Sequence, residues 1–252
     1  MKLSGISVEI IRNENISIYA GINNSKCLTK PLVGAEYEPR YVNPSKVREK
    51  LITFVEILED FKQRFPLSAE KNKDGESHSD AQIGDCLHDI FCVYVPGSEA
   101  NQEKAKRILR NRLMQHVFPE PERIIRSADN LYAFLNRTYA KPVRIHKELP
   151  LQMMTCEGQI IRGSCDLVWE TNDGFVLVDY KSFQGGIQQI ITTDNEHYAG
   201  IYATQLNIYA KMLESTGKSV IATLIYYAVS GVIIEIKIKR NDGKVEVQYQ
   251  WL

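Results

Sequence analysis

The sequence predicts a mixed α/β (α+β) domain, a central β-sheet flanked by helices, with a helical N-terminal portion. Three observations predict it. Residues from about 43 to 139 carry apolar stripes at helical spacing. Two later regions, about 143–183 and 220–239, carry β-branched and aromatic runs punctuated by Asn, Asp and Gly. The chain has 252 residues, 44% hydrophobic and 25% charged, enough to bury one core of that kind.

The elements follow in order. Residues 1–42 are weakly patterned: Ile6–Ile11 and Ile16–Ile22 have the composition of short strands, and Pro31, Gly34 and Pro39 then break regularity. They read as an appendage or linker, leaving 43–252 as the domain. A helix is expected from Asn43-Pro44-Ser45 to about Arg64, stopped by Pro66, with Leu51, Phe54, Val55, Leu58 and Phe61 as its stripe. Leu67–Asp80 is polar and reads as a loop. Asp80 is placed to cap a helix over about Ala81–Tyr94, with Ile83, Leu87, Ile90, Phe91 and Tyr94 inward. His88 lies one turn after Gly84, where a missing side chain lets the helix approach a neighbour. Helices over about Asn101–Val117 and Glu120–Tyr139 come next, then a strand over Val143–Leu151 that holds Glu148. Gln184–Glu196 is a loop. A helix over His197–Glu214 sets Tyr198, Tyr202, Gln205, Tyr209 and Met212 on one face. The end is a meander of Val220–Val229, Val232–Lys239 and Lys244–Leu252.

The stretch between, Gln159–Phe183, carries the chemistry. Thr171-Asn172-Asp173-Gly174 separates two β-rich runs and signals a hairpin. A loop of Asn172-Asp173 sets Asp166 opposite Asp179. A loop of Asp173-Gly174 sets Asp166 opposite Lys181. Either way Asp166, Asp179 and Lys181 share a face, because residues two apart on a strand do. Phe175–Val178 is apolar on both faces, so this strand is central and buried. Two carboxylates ~5 Å apart repel by ~3 kcal/mol at an effective dielectric of ~20. A divalent cation removes that cost, and Lys181 offsets part of it. The residues alone leave a metal site and a buried ion-pair cluster both open.

Composition excludes little else. Formal net charge is zero, but Lys104–Lys147 holds eleven basic residues against three acidic ones, a net of +8. Such a segment marks a nucleic-acid face or a solvated helical surface. Cys27, Cys86, Cys92, Cys156 and Cys165 are odd in number and lack C-x-x-C spacing, which favours core thiols in a reducing cytoplasm. No apolar run is long enough to span a membrane, and no glycine-rich phosphate loop or Walker A lysine is present.

Six short patterns recur in one order: a Pro44-Ser45 start; Gly84-Asp85-Cys86-Leu87-His88; Glu148-x-Pro150; Gly163-x-x-Asp166; Asp179-Tyr180-Lys181; and Gln205-Leu206-x-x-Tyr209. Together they resemble the RecB-type nuclease domain of the PD-(D/E)XK superfamily, over about Asn43–Ala210. The resemblance implies a restriction-endonuclease-like core with a mixed sheet. It implies His88, Asp166, Asp179 and the Tyr180 carbonyl as ligands of Mg²⁺ or Mn²⁺. Lys181 would orient the attacking water, Gln205 and Tyr209 would position the phosphodiester or Lys181, and Glu148 would edge the site. Relatives with an iron–sulfur cluster carry three cysteines near the C-terminus. No cysteine follows Cys165, so no cluster is expected.

The function so implied is a cytoplasmic, metal-dependent DNA exonuclease acting in DNA end processing and recombinational repair. It would be the nuclease domain of a RecB/AddA-like helicase-nuclease, or a stand-alone relative. The weakly patterned first forty residues resemble a severed linker and favour the domain. The alternatives are a site-specific or structure-specific endonuclease, and a non-catalytic DNA-binding scaffold on the same fold. Arg107, Arg110 and Arg112 are the expected DNA contacts on the basic segment. A helicase domain or subunit is the expected partner besides DNA.

Overall fold

The computed structural model describes residues 40–47, 51, 53–65, 67–68, 78–155, 158–194 and 196–238. The strands are β1 (Tyr41–Val42), β2 (Thr53–Asp60), β3 (Arg144–Met154), β4 (Ile160–Glu170), β5 (Phe175–Lys181), β6 (Val220–Tyr227) and β7 (Val232–Ile238). The helices are α1 (Asp80–Val93), α2 (Asn101–Asn111), α3 (Pro121–Thr138), α4 (Ile187–Ile191) and α5 (Ala203–Glu214). Tyr41 and Val42, just ahead of the expected boundary at 43, pair with β4.

The strands form one mixed sheet in the order β1-β4-β5-β6-β7-β2, with β3 along the other side of β4. The β3–β4, β4–β5, β6–β7 and β7–β2 pairs are antiparallel; β1–β4 and β5–β6 are parallel. A parallel pair needs a crossover, and α4 and α5 supply it between β5 and β6. Alternation along β5 divides the core. Val176, Val178 and Tyr180 face α1, α2 and α3; Phe175 and Leu177 face α5. The same alternation sends Asp179 and Lys181 toward α5. Cys86 and Cys165 are buried in these cores, while Cys27 and Cys156 lie outside the described residues.

The helix expected from Asn43 to Arg64 does not form. Asn43 does cap a turn, its side chain accepting from the Ser45 N–H at 3.1 Å, but the turn is a short 3-10 segment, Pro44–Lys46. Thr53–Asp60 is then a strand on β7. A bulge between Ile57 and Glu59 explains the misleading stripe. Alternation alone sets Leu58 on the α1–α3 core opposite Val55 on the α5 core, and the bulge then brings Phe61 to the side of Leu58, so the spacing imitates a helix. The helical N-terminal portion is therefore α1–α3.

Smaller differences follow from caps. Ser79, not Asp80, caps α1, in a capping box with Gln82. The expected Asn101–Val117 helix ends at Asn111. The helix expected from His197 is a 3-10 turn over Ala199–Tyr202 leading into α5, and the loop after β5 contains α4. Lys244–Leu252 lies outside the described residues. No described helix is long and apolar enough to cross a membrane.

Candidate active site

The hairpin takes the first of its two registers. Thr171 N–H donates to the Gly174 carbonyl at 2.9 Å, and Leu167 pairs with Val178. Continued one step, that register sets Asp166 opposite Asp179. The β3–β4 register runs from Lys147 with Leu167 to Leu149 with Cys165, which brackets Glu148 opposite Asp166. Three carboxylates on three neighbouring strands thus stand in one row.

The sheet opens at this row. On its β5 side, β4 pairs with β1 only at Ile160–Ile161 and with β5 only from Leu167 onward. Asp166 lies in the gap, and its Oδ2 takes the Tyr180 N–H at 2.6 Å in place of a ladder bond. On the other side, Glu148 has φ +47° and interrupts the β3 ladder. Left-handed backbone is unusual for a glutamate and marks local strain.

Helices complete the site from both faces. From α1, His88 Nδ1 lies 3.4 Å from Asp166 Oδ1 and 3.7 Å from Glu148 Oε1. Gly84, one turn earlier, faces Ser182 just beyond Lys181; a Cβ there would stand 3.4 Å from Ser182 Oγ. The Tyr180 ring holds His88 and Phe91 edge-on, at centroid distances of 5.7 and 4.9 Å. From α5, Gln205 Nε2 donates to Asp179 Oδ1 at 3.2 Å, and the Tyr209 ring lies on Gly163. Lys181 Nζ is 2.5 Å from Asp179 Oδ2 and 4.4 Å from the Tyr202 ring centroid.

Charge in this gap is strongly perturbed. Asp166 is 9% exposed and Asp179 4%. Burial pushes Asp179 up to about 6, with the Asp166 charge adding to it and Lys181 opposing. Burial lowers His88, but hydrogen bonds to Asp166 and Glu148 outweigh it and carry the imidazole up to about 10. Burial lowers Lys181 too, and its attraction to Asp179 more than reverses that. Burial and the neighbouring Cys165 push the Tyr209 hydroxyl up to about 12, with Gln205 opposing. The cluster calls for positive charge from the imidazole, the ammonium or an added cation.

The donor set fits a divalent ion. Ligand atoms of His88, Glu148 and Asp166 all lie within 4.8 Å of one another, and Asp179 stands across from Asp166. Carboxylates with one imidazole suit a divalent ion such as Mg²⁺ or Mn²⁺. Of the expected residues, His88, Glu148, Asp166, Asp179, Tyr180, Lys181, Gln205 and Tyr209 are therefore brought together. Sequence reasoning missed Ser164, whose hydroxyl donates to Glu148 Oε2 at 3.2 Å, and Tyr202 under Lys181. Ser164 lies inside the Gly163-x-x-Asp166 pattern and Tyr202 inside the stripe read over His197–Glu214, so position alone could have flagged both.

The basic segment is partly neutralised. Lys106 pairs with Glu103, Arg112 with Asp89, Arg123 with Glu120 and Arg137 with Glu59. Lys147 is held against the Tyr94 and Tyr132 rings. Arg107 and Arg110 are exposed on α2 without an ion pair among the described residues. Arg112 reaches Asp89, the residue after His88, at 2.6 Å, so the end of α2 borders the site.

Among curated proteins the chain is similar to three that are named as ATP-dependent helicase/nuclease subunits. Identity to that of Exiguobacterium sibiricum is 29% over 164 residues, 56% of this chain and 13% of that protein. For Clostridium novyi it is 33% over 100 residues, 38% of this chain and 8% of that protein. For Bacillus licheniformis it is 23% over 154 residues, 54% of this chain and 12% of that protein. The chain therefore spans only a small fraction of the length of these relatives. The family described as the PD-(D/E)XK nuclease superfamily matches residues 58–250, most of the chain. With the carboxylate row, the adjoining lysine and this match together, the chain belongs to the PD-(D/E)XK nuclease superfamily.

Proposed function

We propose that this chain is a divalent-metal-dependent DNA exonuclease, the nuclease part of a helicase-nuclease of the kind its relatives' names describe. The observation that carries the reading is the convergence of Glu148, Asp166, Asp179 and Lys181 with His88 in one gap of the sheet. Nucleases of this superfamily use divalent metals. We assign His88, Asp166 and Asp179 as ligands, with the Tyr180 carbonyl beside them and Glu148 at the edge. When bound, the ion would polarise a phosphate and lower the pKa of a water.

The chain's own residues do the rest. Lys181 is held charged between Asp179 and the Tyr202 ring, where it orients a water and stabilises charge on the scissile phosphate. Gln205 fixes the Asp179 carboxylate by donating to one oxygen and leaving the other to Lys181. Tyr209, packed on Gly163, fixes α5 against β4 and so holds Gln205 in place beside Asp179. We assign Arg107 and Arg110 on α2 and Arg112 at its end to backbone phosphates, contacts that position a strand without reading its sequence. A cytoplasmic role in DNA end processing with a helicase partner fits this reading.

The test is cleavage of end-labelled linear single- and double-stranded DNA by the purified chain in Mg²⁺, Mn²⁺ or EDTA. Activity should require the metal. Asp179→Asn and Lys181→Ala should each lower it about a hundredfold or more while the variants melt cooperatively. Undiminished cleavage in EDTA, or by either folded variant, would exclude this mechanism. Cutting of a closed circle at full rate would point to an endonuclease instead.

A further inference from the structure

A cavity of about 190 Å³ lies outside the carboxylate gap, and Lys62, Arg64, Arg123 and Arg126 line it. We propose that it binds an internal backbone phosphate of the nucleic-acid strand, at a distance from the phosphodiester that is cut. The proposal deepens the nuclease reading and rests on it.

Two elements bring the cations together. Arg123, Arg126 and Asn130 lie three and four residues apart on α3 and so share one face. Lys62 and Arg64 lie on the segment after β2, and that segment is fastened at four points. Phe61 N–H donates to the Gly231 carbonyl at 2.9 Å, and Phe65 N–H to the Val229 carbonyl at 3.3 Å. Asn130 Nδ2 donates to Gln63 Oε1 at 2.9 Å, and Arg123 Nη1 to the Arg64 carbonyl at 3.3 Å. Lys62 is held at φ +52° within this clamp.

Arg123 is already engaged by Glu120 at 2.5 Å. Lys62, Arg64 and Arg126 are exposed and have no ion pair among the described residues. Three like charges that line one cavity, on backbone that is fixed, give it a positive potential that attracts an anion. Two free guanidinium forks suit phosphate geometry. Ser127 and Tyr226 form the buried floor, where their hydroxyl groups donate to the Ala228 and Ser127 carbonyls at 2.8 and 2.9 Å, which leaves the anion to the cations at the rim.

The position relative to the site identifies the ligand. Lys181 pairs with Tyr227 at the ends of the parallel strands β5 and β6. The Lys181 carbonyl accepts from Ala228 N–H at 2.9 Å, and the Ala228 carbonyl accepts from Ser127 Oγ at 2.8 Å. Ser230 Oγ donates to the Phe183 carbonyl at 2.8 Å and the Gly185 carbonyl at 3.1 Å. That leads the chain from Lys181 to Gly186, where an added Cβ would stand 3.5 Å from Arg64 Nη2. The cavity therefore opens at the same end of the sheet as the site, one strand over and toward α3. A strand whose cut phosphate lies at Lys181 can continue across it.

The test measures binding of a short fluorescent single strand to the full chain in EDTA, so that cleavage does not intervene. Arg64→Gln/Arg126→Gln is compared with the parent across salt concentrations. The log–log salt slope should flatten by about 0.7 for each phosphate that is no longer neutralised. In the second arm, one neutral methylphosphonate linkage is moved along the strand. The parent should lose affinity several-fold at one internal linkage, and the double variant should be indifferent to that linkage. Equal binding by parent and variant at every salt overturns the proposal. So does equal sensitivity to each linkage, or sensitivity only to a terminal phosphate. If the double variant melts early, Arg126→Gln alone, an exposed helix position, carries the same comparison. A parent that cleaves nothing in Mn²⁺ yet shows the linkage-specific loss refutes the nuclease reading and keeps the pocket.

Discussion

Glu148 is the residue where backbone strain and side-chain position meet. Its φ of +47° belongs to the region that L-residues enter at a cost of roughly 1–2 kcal/mol. The same conformation breaks the β3 ladder beside Asp166 and turns the carboxylate to 3.7 Å from His88. Glycine relieves that strain and alanine does not. In EDTA, Glu148→Gly should therefore be more stable than Glu148→Ala by about 1 kcal/mol in urea unfolding, although glycine is ordinarily the worse strand residue. Equal or reversed stabilities would mean that the conformation is not strained. No sequence signal revealed this φ, because a glutamate within a β-rich run gives no local hint of left-handed backbone. Glu148-x-Pro150 marked the position but not the geometry.

At the scale of elements, the packing of α5 on β4 depends on one glycine. A Cβ on Gly163 would stand 2.5 Å from Tyr209 Oη and 2.8 Å from Tyr209 Cε1. Tyr209 is 4% exposed and has little room to withdraw. Gly163→Ala should destabilise the fold by about 1–3 kcal/mol through overpacking. Much of that loss should disappear in Gly163→Ala/Tyr209→Leu relative to Tyr209→Leu alone. A cycle with no coupling between the two positions would show that the packing there is loose. The Gly163-x-x-Asp166 and Gln205-x-x-x-Tyr209 patterns are thus two halves of one packing arrangement. Both were legible as residues, but that they touch was not. The first helix failed for a related reason. Its apolar spacing came from a bulged strand that serves two cores, and periodicity cannot separate those cases.

At the scale of the molecule, charge also fastens the end of the sheet remote from the gap. Glu170 accepts from His146 Nε2 on β3 and from Lys218 Nζ ahead of β6, each at 2.9 Å. His146 and Lys218, in that order, hold the Glu170 carboxyl below its ordinary value of 4.5. A depressed acid stabilises the fold fully above its unfolded pKa, and the contribution disappears as pH falls through the folded value. Glu170→Gln should therefore lower the melting temperature at neutral pH. The gap between variant and parent should narrow progressively below about pH 4.5. A gap that stays constant down to acid unfolding would assign the effect to packing rather than charge.

The sequence by itself determined the mixed α/β class, the central buried β5 and the shared face of Asp166, Asp179 and Lys181, while His88, Glu148, Gln205 and Tyr209 were marked only by the resemblance of short patterns. It could do so because these are local properties. Alternation puts Asp179 and Lys181 on one face, a turn sequence makes the hairpin, and a helical stripe lines up Gln205 with Tyr209. Only the tertiary structure decided between the two hairpin registers, since both loops had acceptable turn residues. The Thr171 hydroxyl, which accepts from the Asp173 and Gly174 N–H groups at 3.2 Å each, holds the Asn172-Asp173 loop and with it the observed register. It also decided that β1 and β5 leave part of β4 unpaired, which opens the sheet at Asp166. The basic pocket likewise joins α3 to the segment after β2 through the β6–β7 turn. Arg64 and Arg123, 59 positions apart in the chain, become one site only when the sheet order brings them together.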